Sequence, residues 1–127
     1  MSGQFELYKC GTCFAIVEVF QGGAGTLACC DAPMMLVKAG VTDASEEKHV
    51  PVAAKTEQGI QVKVGEIAHP MAADHWTQWV ELLGDNFCCT HFLNPGDASA
   101  AEFKCGCKGK VVVRAYCNLH GLWETVL

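Results

Sequence analysis

The chain has 127 residues, 50% of them hydrophobic and 18% charged, which suits one ordinary domain or two small ones and excludes a disordered chain. Nine Lys and Arg against 14 Asp and Glu leave a formal charge of −5, which disfavours nucleic acid as a partner, because phosphate backbones select basic surfaces. No apolar run approaches the ~20 residues that cross a bilayer, and MSGQFELYKC lacks a basic start followed by an apolar core, so a soluble, cytoplasmic protein without a membrane partner is expected.

Cys10, Cys13, Cys29 and Cys30 fall at the start of the chain, separated by an apolar run, Phe14 to Phe20, and a flexible turn, Gly22-Gly23-Ala24-Gly25. Strand, turn, strand is the natural reading. The piece is too small for a core of its own, so a bound metal must hold it together. Residues 31–45 read as a linker containing a short strand, Met34 to Val37. From about residue 46 the chain reads as β-rich. Ile60, Val62 and Val64 alternate with Gln61 and Lys63, the period-2 pattern of a half-buried strand. Trp76 to Leu83, Phe87 to Phe92, Lys110 to Tyr116 and Leu122 to Val126 are further strands. Turns are expected at Gly84-Asp85-Asn86, Asn94-Pro95-Gly96-Asp97 and Lys108-Gly109. No long helical repeat is present, and short strands with regular turn signals predict an all-β fold built on a β-sandwich.

Nine cysteines cannot all pair within one chain, and without an export signal clustered thiols point to metal or redox chemistry. Cys10 and Cys13 have the x2 spacing of a chelating knuckle. Cys29 and Cys30 are adjacent, so they share an ion only if the backbone bends locally. Iron and zinc both suit four thiolates, and spacing does not separate them. A second set gathers His49, His69, which ends the Ile60 strand, His75, which begins the Trp76 strand, and the Cys117-x2-His120 turn. Zinc prefers four ligands, so a set of four imidazoles and one thiolate favours octahedral iron with one open position. A thiolate opposite that position pushes electron density onto the iron, which suits a small oxygen-derived anion. Lys48 places a cation beside His49 to attract such an anion, and Glu47 is a sixth ligand for the substrate-free state. The bland alternative is that Glu46-Glu47-Lys48 is a solvated charge run.

YKCGTC at 8–13, ACC at 28–30, EKHVP at 47–51, KVGEIAHPM at 63–71, HW at 75–76, WVELL at 79–83, FLNPGD at 92–97, AEF at 101–103 and AYCNLHGLW at 115–123 closely resemble the desulfoferrodoxins, the two-iron superoxide reductases. The resemblance runs almost end to end. It implies a desulforedoxin-like module over residues 1–37, with iron on Cys10, Cys13, Cys29 and Cys30. It implies an immunoglobulin-like catalytic sandwich over residues 38–127. There, a square-pyramidal iron takes His49, His69, His75 and His120 as equatorial ligands and Cys117 as the axial one. It further implies a homodimer that reduces superoxide to hydrogen peroxide with electrons from a rubredoxin-like donor. Glu47 matches the carboxylate that ligates the resting ferric iron, and Lys48 the lysine that aids superoxide capture. The rival reading is a rubredoxin-like electron carrier without turnover, which leaves the His-rich set unexplained. Cys88, Cys89, Cys105 and Cys107 match no family ligand and are expected mainly as free thiols, with a disulfide or adventitious metal as alternatives. His91 is expected on the surface.

Overall fold

The computed structural model describes residues 2–42, 44–106 and 109–127, so Cys107 and part of the expected Lys108-Gly109 turn lie outside the described residues. The chain divides into two compact units, Met1–Lys38 and Ala39–Leu127.

The first unit holds five short strands: β1 (Leu7–Lys9), β2 (Ile16–Glu18), β3 (Ala28–Cys29), β4 (Ala32–Pro33) and β5 (Met35–Leu36). β1 lies between β2 and β5, antiparallel to both, with Tyr8 opposite Val17 on one side and Leu36 on the other. β3 and β4 form a separate hairpin with Cys29 opposite Ala32. Its two connecting residues, Cys30 and Asp31, both have positive φ, 52° and 59°. That is the backbone signature of the tight hairpin turn whose twist matches the flanking strands. The local bend required by two adjacent cysteines is therefore a turn. Leu7, Cys10 and Val19 are the buried apolar residues of this unit among those described, a core as small as expected.

The second unit contains one short helix, α1 (Glu46–His49), and β6 (Pro51–Lys55), β7 (Gly59–Val64), β8 (Met71–Ala72), β9 (His75–Gly84), β10 (Phe87–Phe92), β11 (Ala100–Lys104), β12 (Val112–Cys117) and β13 (Gly121–Val126). One sheet runs β10-β9-β12-β13, with β8 paired to β9; the other runs β11-β7-β6. Ile60, Val62 and Val64 of β7 meet Val80 and Leu82 of β9 and Val113 and Ala115 of β12 in one buried cluster, which makes the unit a β-sandwich. β7 alternates as its sequence requires, with Gln61 and Lys63 exposed. β9 does not, because Glu81 on its other face is buried as well. Arg114 stands opposite in register, its guanidinium 3.0 Å from the Glu81 carboxylate, and Trp79 Nε1 donates to the same oxygen at 3.1 Å. A buried charge is tolerable only with such partners.

The expected strands are present with shifted ends. The Phe14 to Phe20 run is strand only over Ile16–Glu18, and the Lys110 strand begins at Val112. The short strands β1, β4 and β8 were not expected, nor were two longer ones. PVAAK (β6) and AAEFK (β11) have little intrinsic β-propensity, and they become strands because β7 offers each of them an edge. His69 does not end the Ile60 strand. β7 stops at Val64, and Gly65, at φ +83°, turns the chain aside before His69. His49 is the last residue of α1.

Candidate metal centres and the family they define

The second ligand set assembles at one end of the sandwich. Pro51 at the start of β6 pairs with Val64 at the end of β7, which puts α1 beside the 65–70 turn. At the same end Cys117, the last residue of β12, pairs with Thr77 near the start of β9 and with Gly121 at the start of β13. The ladder slips between Tyr116 and Cys117, an irregularity of the kind that re-aims side chains beside functional sites. Asn118 ties the turn after Cys117 to the head of β9. Its Oδ1 accepts from the Trp76 backbone at 2.9 Å, and its Nδ2 donates to the Asp74 carbonyl at 3.0 Å.

The four imidazoles form a closed square. Ring centroids are 4.7 Å apart for His49 and His69, 4.9 Å for His69 and His75, 5.1 Å for His75 and His120, and 4.9 Å for His120 and His49. Each neighbouring pair is nearly perpendicular, at 78° to 88°. The diagonal pair His49 and His75 is 6.4 Å apart and close to parallel, at 28°. Ligand atoms of His49, His69, His75 and Cys117 all lie within 4.8 Å of one another. His120 Nδ1 is 3.1 Å from His49 Nε2 and 3.9 Å from Cys117 Sγ.

Backbone carbonyls orient two of the rings. His49 Nδ1 donates to the Ser45 carbonyl at 2.6 Å, and His69 Nδ1 donates to the Pro70 carbonyl at 2.7 Å. Each bond leaves the Nε2 lone pair pointing inward, the arrangement that metal-binding histidines adopt. Nε2 of His69 and of His75 are buried with no hydrogen-bond partner. Such atoms are costly unless a cation satisfies them. Burial, the largest influence, holds the imidazolium form of both His49 and His69 down, with His69 at about 4. Both rings are therefore neutral, as ligation requires. Burial pushes the Cys117 thiol up, and the His120 backbone N–H, donating to its sulfur at 3.4 Å, works against that rise. Four imidazole nitrogens and one cysteine sulfur gathered at one buried place fit an iron ion, whose charge would displace the thiol proton of Cys117.

Glu47 and Lys48 are exposed at the rim of this set, beside buried His49. The Lys48 charge reaches the site, since it is among the influences that disfavour protonation of His49. Trp123 closes another side, with its ring 5.1 Å from His49 and its Nε1 donating to the His120 carbonyl at 3.1 Å. The supporting roles of Trp123, Asn118 and the Ser45 carbonyl were not predicted. The motif CNLHGLW contains two of these residues, and motif spacing reveals ligands more readily than their supports.

In the first unit the sulfurs of Cys10, Cys13, Cys29 and Cys30 also lie within 4.8 Å of one another. Backbone N–H groups of Cys13 and Thr12 both donate to Cys10 Sγ at 3.4 Å, and they lower its pKa to about 6. Cys29 is driven the other way, to about 12, first by its hydrogen bonds with Cys10 and Cys13. Thiols packed 3.6 to 3.8 Å apart cannot all ionise without a cation among them, so the donor set fits a second iron. Cys13→Ser is expected to lose or distort the absorption of this centre while the His-rich centre keeps its metal. Loss of both irons together, read by metal analysis, would show that the units fold as one.

Of the remaining described cysteines, Cys88 and Cys89 are in no disulfide, as expected, but Cys105 is disulfide-bonded. His91 is exposed.

A family profile for desulfoferrodoxin matches residues 41–126, and one for the desulfoferrodoxin N-terminal domain matches residues 2–37. The desulfoferrodoxin of Nitratidesulfovibrio vulgaris is 52% identical over 124 residues, covering 98% of each chain. That of Desulfarculus baarsii is 49% identical over 124 residues, again covering 98% of both. Among solved structures, the superoxide reductase from Treponema pallidum matches with a TM-score of 0.75 at 30% identity, over 94% of this chain and 98% of that one. Both ligand sets, both profiles and this end-to-end identity agree: the chain belongs to the desulfoferrodoxin family.

Proposed function

We propose that this chain is a superoxide reductase whose reaction site is the set of His49, His69, His75, His120 and Cys117. The single observation that carries the reading is the square of four imidazoles, two of whose buried nitrogens have no partner, beside the buried Cys117 sulfur. When bound there, iron supplies the one-electron chemistry, with the Cys117 thiolate raising its electron density. The overall change is superoxide plus one electron and two protons to hydrogen peroxide, with no dioxygen released. Cys10, Cys13, Cys29 and Cys30 would hold the second iron, which would supply electron transfer.

The outer residues prepare the substrate. Lys48 raises the local concentration of a small anion and stabilises the charge that builds on it. Glu47 would supply a carboxylate ligand to a bound iron when no substrate is there. Water at this exposed rim delivers the protons. Rapid mixing of the reduced protein with superoxide tests the reading. One peroxide for each superoxide consumed is expected, and dioxygen release would mark a dismutase instead.

Lys48→Ile is expected to slow the bimolecular reaction about tenfold, or about 1.4 kcal/mol in the barrier, without loss of iron. The parent rate falls as salt rises, and the variant's rate falls less, because the attraction is screened over a Debye length of about 8–10 Å. Glu47→Ala changes the ferric spectrum and leaves capture largely intact. Equal rates and equal salt slopes for parent and Lys48→Ile, in stopped-flow measurements, would remove the electrostatic role.

The external electron is assigned to a rubredoxin-like donor in the cytoplasm. No helix among the described residues is long and apolar enough to cross a membrane. The chain is assigned as a homodimer. Exposed Phe14, Val17, Phe20, Met35 and Leu36 on the small first unit support this, since such apolar surface favours burial against a partner.

A further inference from the structure

Tyr116, Trp79 and Cys88 belong to neither ligand set, yet they form a connected group that begins beside an iron ligand. Tyr116 immediately precedes Cys117 on β12 and is buried. Across the sheet it pairs with Trp79 of β9, and the two rings stack with centroids 4.5 Å apart and planes 7° from parallel. Trp79 pairs in turn with Phe92 of β10, whose exposed ring is 6.3 Å away. Three aromatic rings thus lie in one row, from the strand of Cys117 to the edge of the sheet. A phenyl ring is far harder to oxidise than a phenol or an indole, so the redox-capable part of the row is Tyr116 and Trp79. The chain has three tryptophans, and they differ in what accepts the indole N–H. Trp76 donates to the Leu93 carbonyl at 3.3 Å, and Trp123 to the His120 carbonyl at 3.1 Å. Trp79 donates to the Glu81 carboxylate at 3.1 Å, which Arg114 holds in place at 3.0 Å. An indole that loses an electron becomes a much stronger acid. A carboxylate within hydrogen-bond reach can take its proton, whereas a peptide carbonyl is too weak a base. The thiol of half-buried Cys88 donates to the other oxygen of that carboxylate at 3.5 Å.

We propose that Tyr116, Trp79, Glu81 and Cys88 form a protective relay that draws oxidising equivalents away from the His-rich centre, with hydrogen peroxide as the oxidant and small external thiols as the final reductant. The inference rests on the superoxide reductase reading, whose product is that peroxide. Peroxide that lingers at the reduced centre takes up two electrons, and two protons from water, and becomes two water molecules as its O–O bond breaks. One electron comes from the reduced centre itself. The other comes from Trp79 by way of the stacked Tyr116 ring, and the Nε1 proton passes to Glu81. Cys88 then restores the indole. Its sulfur gives up one electron, Nε1 regains the proton held by Glu81, and the thiol proton leaves through the same carboxylate to water. An external thiol returns a hydrogen atom to the Cys88 sulfur, and two of the resulting thiol radicals join as a disulfide. Without the relay the second electron is taken from the ligands, and their imidazole and thiolate groups are oxidised.

The test mixes the reduced, iron-loaded full chain with hydrogen peroxide, freezes it within milliseconds and reads it by electron paramagnetic resonance, with the indole rings deuterated for assignment. A tryptophan radical is expected, and the absence of coupling to an exchangeable proton marks it as deprotonated. Trp79→Phe loses that radical, and peptide mass spectrometry shows oxidation of His49, His69, His75, His120 and Cys117 rising severalfold. Cys88→Ser, which needs no change in the stacked rings, keeps the radical and lengthens its lifetime severalfold with 2-mercaptoethanol as the external thiol. Both variants reduce superoxide at the parent rate, because that reaction draws its electron from outside and not from the relay. A parent protein that reduces superoxide yet forms no tryptophan radical with peroxide would overturn the relay and leave the superoxide reductase reading standing. A radical that survives in Trp79→Phe, and so resides on Trp76 or Trp123, would overturn it as well. So would a radical lifetime in Cys88→Ser equal to the parent's.

Discussion

Cys117→Ser is expected to abolish the thiolate charge-transfer band of the His-rich iron and to reduce superoxide turnover by about 100-fold or more, roughly 2.7 kcal/mol in the barrier. The exchange is nearly isosteric, and a serine oxygen accepts the His120 backbone N–H as the sulfur does. The sandwich therefore stays folded, and the effect falls on the chemistry. An unionised hydroxyl donates far less electron density to a metal than a thiolate does. The absorption of the four-cysteine iron persists, because Cys10, Cys13, Cys29 and Cys30 belong to the other compact unit. Retention of both the band and the turnover, in visible spectra and stopped-flow traces of the loaded variant, would remove Cys117 from the ligand set.

Gly65→Ala should damage the same centre without touching a ligand. Gly65 has φ +83°, a conformation that side chains rarely adopt. A Cβ there would stand 2.5 Å from the Ile67 carbonyl oxygen and 2.6 Å from both the Glu47 carbonyl oxygen and the Lys48 carbonyl carbon. All three are backbone atoms, which cannot rotate away as a side-chain end can. The crowded region joins α1 to the 65–70 turn, where Ile67 N–H donates to the Glu47 carbonyl at 3.0 Å and Gly65 N–H to the Val50 carbonyl at 3.2 Å. His49 and His69 sit at either side of that junction. The alanine is expected to destabilise the sandwich by about 2–4 kcal/mol, which lowers Tm by roughly 10 °C or more. Iron occupancy of the His-rich centre should fall with it, while the four-cysteine iron remains. Calorimetry and metal analysis check both effects, and a parent-like Tm with full occupancy of both sites would show that the junction yields at no cost.

These two residues divide what was legible from what was not. Cys117 was readable because the x2 spacing to His120 is a local signal and because thiolate chemistry belongs to the residue type. The same holds for Cys10 and Cys13, for the alternation of Ile60, Val62 and Val64, and for the charge of Lys48 beside His49. Each depends on residues adjacent or nearly adjacent in the chain. The turn at Cys30-Asp31 was legible as a need, since adjacent cysteines cannot otherwise face one ion.

Tertiary structure decided the rest, because the quantities involved are long-range pairings. PVAAK and AAEFK are strands only because β7 lies between them. No spacing rule orders His49, His69, His75 and His120 into a square. Their order follows from Pro51 pairing with Val64 and Cys117 with Thr77, residues far apart in the chain. Gly65 is one of 13 glycines in the sequence, and nothing local marks it as the one pressed against α1. Cys88 and Cys89 are equivalent as neighbours in the sequence, and the pleat of β10 sends one to Glu81 and the other to the cleft beside Cys105. Residue chemistry and short spacings determined what this protein can bind, and the sheet registers decided where those groups meet.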